Sequence, residues 1–150
     1  MNLPKEIAEV CAPLFEAIPF ESAMAELVGF KTKQVALLEK IVANPVIASK
    51  PSLVPGLWLY VDDFTHGHDY IQDLTDDDSA FWHGIMHRRE GDFPNSHYWF
   101  RRASGHSLYK SIDPDSLVKK VAGDKGANSA QLLEEQRKEW LTFFEWCANR

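Results

Sequence analysis

The chain has 150 residues, of which 45% are hydrophobic and 25% charged, and its formal net charge is -6. This length and composition predict a single helical domain spanning residues 1–150, with a hydrophobic core of its own. The negative charge argues against a nucleic-acid partner, and no apolar run approaches the roughly 18 residues that a membrane-spanning helix needs.

The first half of the chain follows a helical period. Apolar side chains recur every three or four residues between Ile7 and Ile18, which predicts a helix with one buried face. Shorter helices are predicted over 21–28 and 33–44. The prolines at 45, 51 and 55 predict a connector, and a longer helix is predicted over 56–74.

The second half continues the pattern. The acidic segment TDDDS suits the positive end of a helix dipole and predicts a helix over 76–90. Further helices are predicted over 94–103, 115–121 and 128 to about 147, the last opening on a pattern like a capping box. We therefore expect an all-α fold, a compact bundle of about six helices. The short loop after the 56–74 helix predicts an antiparallel hairpin at 56–90.

Three histidines are predicted to meet in that hairpin. On the 56–74 helix, His68 falls within the apolar stripe, whereas His66 lies about 160° away and should be exposed. His83 and His87 are one helical turn apart, so the antiparallel hairpin brings them opposite His68 and Gln72. Such a set suits a divalent transition metal ion, with zinc, iron, nickel and manganese as candidates.

Both the role of Glu90 and the role of the histidines themselves are open. Glu90 would complete the metal shell or act as the catalytic base. The alternative is that each histidine is a core residue satisfied by its own backbone carbonyl. The small residues Ala80 and Gly84 line the far side of the same helix, where they would allow another backbone to approach closely.

Arginines follow in two pairs, Arg88 with Arg89 and Arg101 with Arg102. Arg89 falls in an apolar arc, and an unpaired buried charge is strongly destabilising, so we expect a two-pronged contact for at least one of the first pair. One interpretation is an internal salt-bridge network. The other is a clamp for a carboxylate or phosphate substrate, lined by Trp82, Tyr98 and Trp99.

The stretch from Leu57 to Tyr109 contains LWLYVDDFTHGHDYIQDL and FWHGIMHRREGDFPNSHYWFRR. Over about a third of the chain it resembles a family of uncharacterised bacterial and fungal proteins, and this resemblance implies a unit without implying an activity. The small and aromatic residues from Gly84 to Ala103 are also similar to a tetratricopeptide hairpin. Only one copy is present, whereas repeat arrays need about three, so we expect a hairpin packed by similar rules.

The leading hypothesis is a helical metal-binding protein, and whether it is also an enzyme that acts on a small anionic substrate by hydrolysis or a redox reaction is left open. The alternatives are a helical-hairpin interaction module without metal and a metal-free pocket for a small anion. No phosphate-binding glycine loop, nucleophile elbow or CxxC pair is present. Cys11 and Cys147 sit among apolar residues, and with no secretory signal we expect core thiols and a cytoplasmic location. No membrane partner is expected, and a homo-oligomer remains open.

Overall fold

The computed structural model describes residues 1–150 and contains helices but no strands. The α-helices are α1 (Lys5–Ala17), α2 (Val35–Val42), α3 (Pro45–Ala48), α4 (Val54–Tyr60), α5 (Phe64–Ile71), α6 (Asp77–Glu90), α7 (Phe93–Arg102), α8 (Tyr109–Ile112), α9 (Pro114–Gly123) and α10 (Ser129–Ala148). Three-residue 3-10 helices lie at Phe20–Ser22 and Pro51–Leu53. The all-α class is confirmed, with more and shorter helices than the six expected. None of them is both long and apolar enough to cross a bilayer.

Helix α6 lies at the centre of the molecule, and every residue from Asp78 to Arg89 is buried. Its two ends are set by local chemistry. Asp76 caps the N-terminus by accepting the Ser79 N–H at 2.9 Å. At the other end Gly91 adopts φ 88°, and its N–H and that of Asp92 bond the last carbonyls in a Schellman turn. The turn sends the chain directly into α7.

Helices α6 and α7 pack at very short range through Gly84. The Ser96 hydroxyl donates to the Gly84 carbonyl at 2.6 Å. A Cβ at position 84 would lie 2.5 Å from the Phe100 ring. The expectation that the Ala80/Gly84 strip admits another helix is therefore confirmed.

Gly84→Ala is expected to destabilise the protein by about 1–3 kcal/mol, because overpacking against Phe100 outweighs the better helix propensity of alanine. Urea unfolding measures the effect. Gly123→Ala is the matched control, since an added Cβ at this helical glycine would meet no atom within 4 Å. Equal free energies of unfolding for the two variants would show that the α6–α7 contact is less tight than described.

The predicted helix over 56–74 is wrong as one element, because it divides into α4 and α5. Asp62 takes a left-handed conformation with φ 58°, and Asp63 caps the new helix by accepting the His66 N–H at 3.0 Å. Neighbouring aspartates compete with the helical hydrogen bonds, and this competition outweighs the apolar period. The hairpin therefore consists of α5 and α6. Phe64 lies beside His87 and His68 beside His83, so the two helices run antiparallel.

Three other element predictions are corrected. Residues 21–28 form no α-helix, because side chains of α10 hold their carbonyls: Gln136 donates to Met24 and Glu26, and Arg137 to Ala23. The connector at 45–55 contains α3, a 3-10 turn and the start of α4. Asn128 makes no side-chain capping hydrogen bond at the start of α10.

Candidate functional site

Three imidazole rings from two helices converge beside α6. One ligating atom from each of His68, His83 and His87 lies within 4.8 Å of the other two. His83 and His87 are nearly parallel, with planes 7° apart and centroids 5.8 Å apart. His68 approaches both edge-on from α5, at centroid distances of 5.2 and 5.3 Å. The expected convergence of the three ring nitrogens is confirmed.

His83 is the most enclosed of the three. Only 1% of the residue is exposed, and its ring stacks on Trp99 of α7 at a centroid distance of 3.9 Å. Its Nδ1 atom is buried without a hydrogen-bond partner. The Ser79 backbone, one turn earlier in α6, still interacts with this ring and raises the His83 pKa against the stronger effect of burial.

His87 is held by groups on both sides of its ring. Its Nδ1 lies 2.9 Å from Glu90 Oε2, and its Nε2 lies 3.3 Å from the amide nitrogen of Asn95. The amide nitrogen is a donor, so Nε2 accepts and Nδ1 carries the proton that is donated to Glu90. A carboxylate behind a histidine in this way orients the ring and makes it a better metal ligand.

His66 and His68 both lie on α5, but their surroundings differ. His68 is half-buried and stacks on Phe64 at 5.2 Å, so it is less enclosed than predicted. His66 is exposed as predicted, with its Nδ1 2.7 Å from Asp63 and its ring stacked on Trp58. His68 therefore remains within reach of solvent at the edge of the cluster.

Two of the three histidines have lowered pKa values. Burial, together with the neighbouring His68 and His87, lowers the pKa of His83 to about 4. Burial and the nearby His87 also lower the pKa of His68. Both rings are therefore neutral at neutral pH, which is the state that offers a lone pair to a metal ion.

Metal-free protein is expected to lose stability as the pH falls from about 6.5 towards about 4, because His83 takes up a proton in the unfolded chain before it does so in the native state. For this one group the loss is on the order of 3 kcal/mol over that interval. Urea unfolding at about pH 7 and about pH 4.5 would measure it. His83→Gln, which cannot titrate, should show a smaller loss, and an equal loss in variant and wild type would contradict the assignment.

The first pair of arginines predicted to bind an anion is instead buried in ion pairs within the chain. Arg88 Nη1 donates to Glu139 Oε1 at 2.9 Å, while Nη2 lies 2.7 Å from Oε2. Arg89 Nη1 donates to Asp62 at 2.7 Å, and its Nη2 donates to the carbonyls of Glu26 and Gly29. Both guanidinium groups are fully buried, and Arg88 makes the expected two-pronged contact with a carboxylate, in which the Nη1 prong has hydrogen-bond geometry and the Nη2 prong is an ion-pair contact. They form the salt-bridge network, not an open clamp.

The other predicted residues lie in different places. Arg101 and Arg102 are exposed, with Arg102 about 5.5 Å from the Trp99 ring and 5.9 Å from that of Tyr98. Trp82 is a core residue whose indole donates to the Ser52 carbonyl, so it lines no pocket at the histidines. Gln72 is exposed at the end of α5 and its side chain makes no hydrogen bond.

Sequence reasoning missed Asn95, which lies against His87. It follows His87 by eight residues across the turn at Gly91, a spacing that becomes informative only when the path of that turn is known. Trp99, not its exposed neighbour Tyr98, is the aromatic ring in contact with the cluster. Of the aromatic residues predicted to line a pocket, Trp99 is the one that the structure places at the histidines.

Comparisons with protein-family models, with curated proteins and with solved structures give no match to this chain. The resemblance of Leu57–Tyr109 to an uncharacterised family stays an expectation. The functional argument therefore depends on the geometry of the histidine cluster.

Proposed function

We propose that this protein binds a divalent transition metal ion through His68, His83 and His87. The observation that carries the proposal is the convergence of three ligand atoms, from two helices, to within 4.8 Å of one another. Around a tetrahedral zinc ion, with bonds of about 2.0–2.1 Å, the nitrogens would stand about 3.3 Å apart. The nitrogens would have to approach one another by up to about 1.5 Å, and a metal bound at Nε2 of His87 would replace its contact with Asn95.

Three imidazoles leave a fourth coordination position open. Zinc sites with three protein ligands typically keep water or substrate in that position, and such a water would lose a proton near neutral pH to give a hydroxide that can attack an electrophile. We therefore propose hydrolysis of a small anionic substrate as the activity. Glu90 is assigned a positioning role, because its carboxylate faces Nδ1 of His87. The anion-binding role passes to Arg102, because Arg88 and Arg89 are already paired.

Metal analysis of the purified protein tests the proposal directly. We expect protein stripped with a chelator to take up one ion per chain from zinc, nickel or manganese solutions, with an increase in melting temperature. Calorimetric titration would give the stoichiometry and affinity. If no ion binds and the melting temperature is unchanged, the metal proposal is wrong and the interaction-module alternative gains support.

Glu90→Ala is expected to weaken metal binding by about 10–100-fold, the usual cost of removing the group that orients a histidine ligand. Its effect on the free energy of unfolding without metal should be small, because Glu90 is exposed. Glu134→Ala, which removes an exposed carboxylate from α10, is the control. Equal metal affinities of the two variants would remove Glu90 from the site while leaving the three histidines in place.

A further inference from the structure

A cavity of about 730 Å³ lies at the N-terminal end of α6, away from the histidine cluster. Its walls are the first turn of α6, residues 49–52, the loop at 105–107 and the end of α10. We call it the Asp78 cavity. Only three of its fifteen lining residues are hydrophobic, so its chemistry is that of a polar binding site.

Negative charge is in excess on the walls of the Asp78 cavity. Asp76, Asp77 and Asp78 follow one another along the chain, and all three line it. The Asp76 carboxylate accepts hydrogen bonds from the N–H and the hydroxyl of Ser79. The Lys50 ammonium donates to the Ala148 carbonyl at the end of α10. Asp77 is exposed and has no ion-pair partner. A ligand for this cavity would therefore be a cation.

Asp78 shows which kind of cation fits. Its carboxylate is contacted by the guanidinium group of Arg150. The same guanidinium lies over the Trp146 ring, with Cζ 3.9 Å from the centroid. A carboxylate at the edge of a planar cation and an aromatic ring against its face recognise guanidinium better than a rounded ammonium group.

The Arg150 side chain leaves this site incomplete. It is 54% exposed, and most of the cavity remains empty beside it. The His106 side chain is only 3% exposed, and its Nε2 lies 3.3 Å from Oδ1 of Asp78, a long and poorly aligned contact. Nδ1 of His106 accepts the Leu108 N–H, so Nε2 carries the proton and faces the Asp78 carboxylate, which it helps to hold in place at the wall of the cavity.

We infer that the Asp78 cavity is a second binding site, independent of the proposed metal site, for a small guanidinium compound. The planar cation of the ligand takes the position that the Arg150 side chain holds in this structure, between Asp78 and Trp146. Asp77 supplies the second negative charge. The Arg150 side chain competes with the ligand for this position.

Calorimetric titration with agmatine, on protein stripped of metal, tests the inference. Arg150→Ala should bind agmatine about tenfold more tightly than wild type, as expected where the tethered guanidinium fills the site about 90% of the time. Putrescine has the same charge as agmatine but no guanidinium, so it should bind Arg150→Ala more weakly. If Arg150→Ala binds agmatine no better than wild type, or binds putrescine equally well, the inference is overturned.

A second pair of variants separates a built site from general negative charge. In the Arg150→Ala background, Asp77→Asn should weaken agmatine binding several-fold. Glu16→Gln, which removes an exposed carboxylate on α1, should leave it unchanged. Equal weakening by both would show that only the net charge of the protein attracts the ligand, and would overturn the inference.

Discussion

His83→Ala is expected to weaken metal binding by more than about 100-fold, beyond the cost of losing an outer orienting group, because it removes one of three ligands. Wild-type protein in metal at about 100 times its dissociation constant should gain about 2.7 kcal/mol of stability, since the ion binds only the native state. The variant should gain almost none of this at the same concentration. Thermal unfolding with and without metal measures the difference.

His97→Ala is the matched control for this result. His97 contacts Asp115 at 2.6 Å, outside the cluster, and its loss should leave the metal response at the wild-type level. A metal response retained in His83→Ala would remove the three-histidine site. Loss of the response in both variants would point to a general loss of structure, which far-UV circular dichroism of the metal-free proteins would reveal.

Arg88→Ala is expected to destabilise the protein by about 3–5 kcal/mol, because it leaves the Glu139 carboxylate buried without its partner. Burial already raises the pKa of Glu139, with Arg88 opposing that rise. Without Arg88 the pKa of this carboxyl rises further in the native state, so the destabilisation should be greater at alkaline than at mildly acidic pH. Urea unfolding at two pH values measures both effects.

Replacing the pair together separates the charge effect from the loss of volume. Arg88→Met with Glu139→Leu should recover most of the lost stability, since apolar residues of similar size can replace a buried ion pair. Arg101→Ala, at an exposed position, should change the free energy of unfolding by less than about 0.5 kcal/mol. A cost below about 1 kcal/mol for Arg88→Ala would contradict the buried pair.

The contrast between the two arginine pairs bears on the proposed function. Arg88 and Arg89 have structural roles, because each is buried and paired with a carboxylate of the chain itself, Glu139 and Asp62 respectively. Arg102 is exposed near the aromatic ring that stacks on His83. We therefore propose that the residue that binds an anionic substrate lies on the exposed surface of α7, and not among the buried residues of α6.

Several features followed from local sequence patterns. The helical class, the start of α6 behind Asp76 and its end at Gly91 depend on neighbours within one or two turns. The spacing of His83 and His87 placed both rings on one side of that helix, and the short loop before it predicted which element would face them. Such features are readable because helical geometry relates near positions in a fixed way.

Other features were decided only by tertiary structure. The neighbouring aspartates favour a break between α4 and α5, but a distant segment stabilises it, since Lys33 donates its N–H to the Val61 carbonyl and Thr32 its hydroxyl to the Asp62 carbonyl. Glu139, the partner of Arg88, comes from a helix 51 residues away. The burial of every residue from Asp78 to Arg89 could not be predicted from an amphipathic period, because it results from the packing of α4, α5, α7 and α10 against α6. Sequence spacing gives the direction of a side chain from its own helix, whereas the group it meets depends on how the other helices pack.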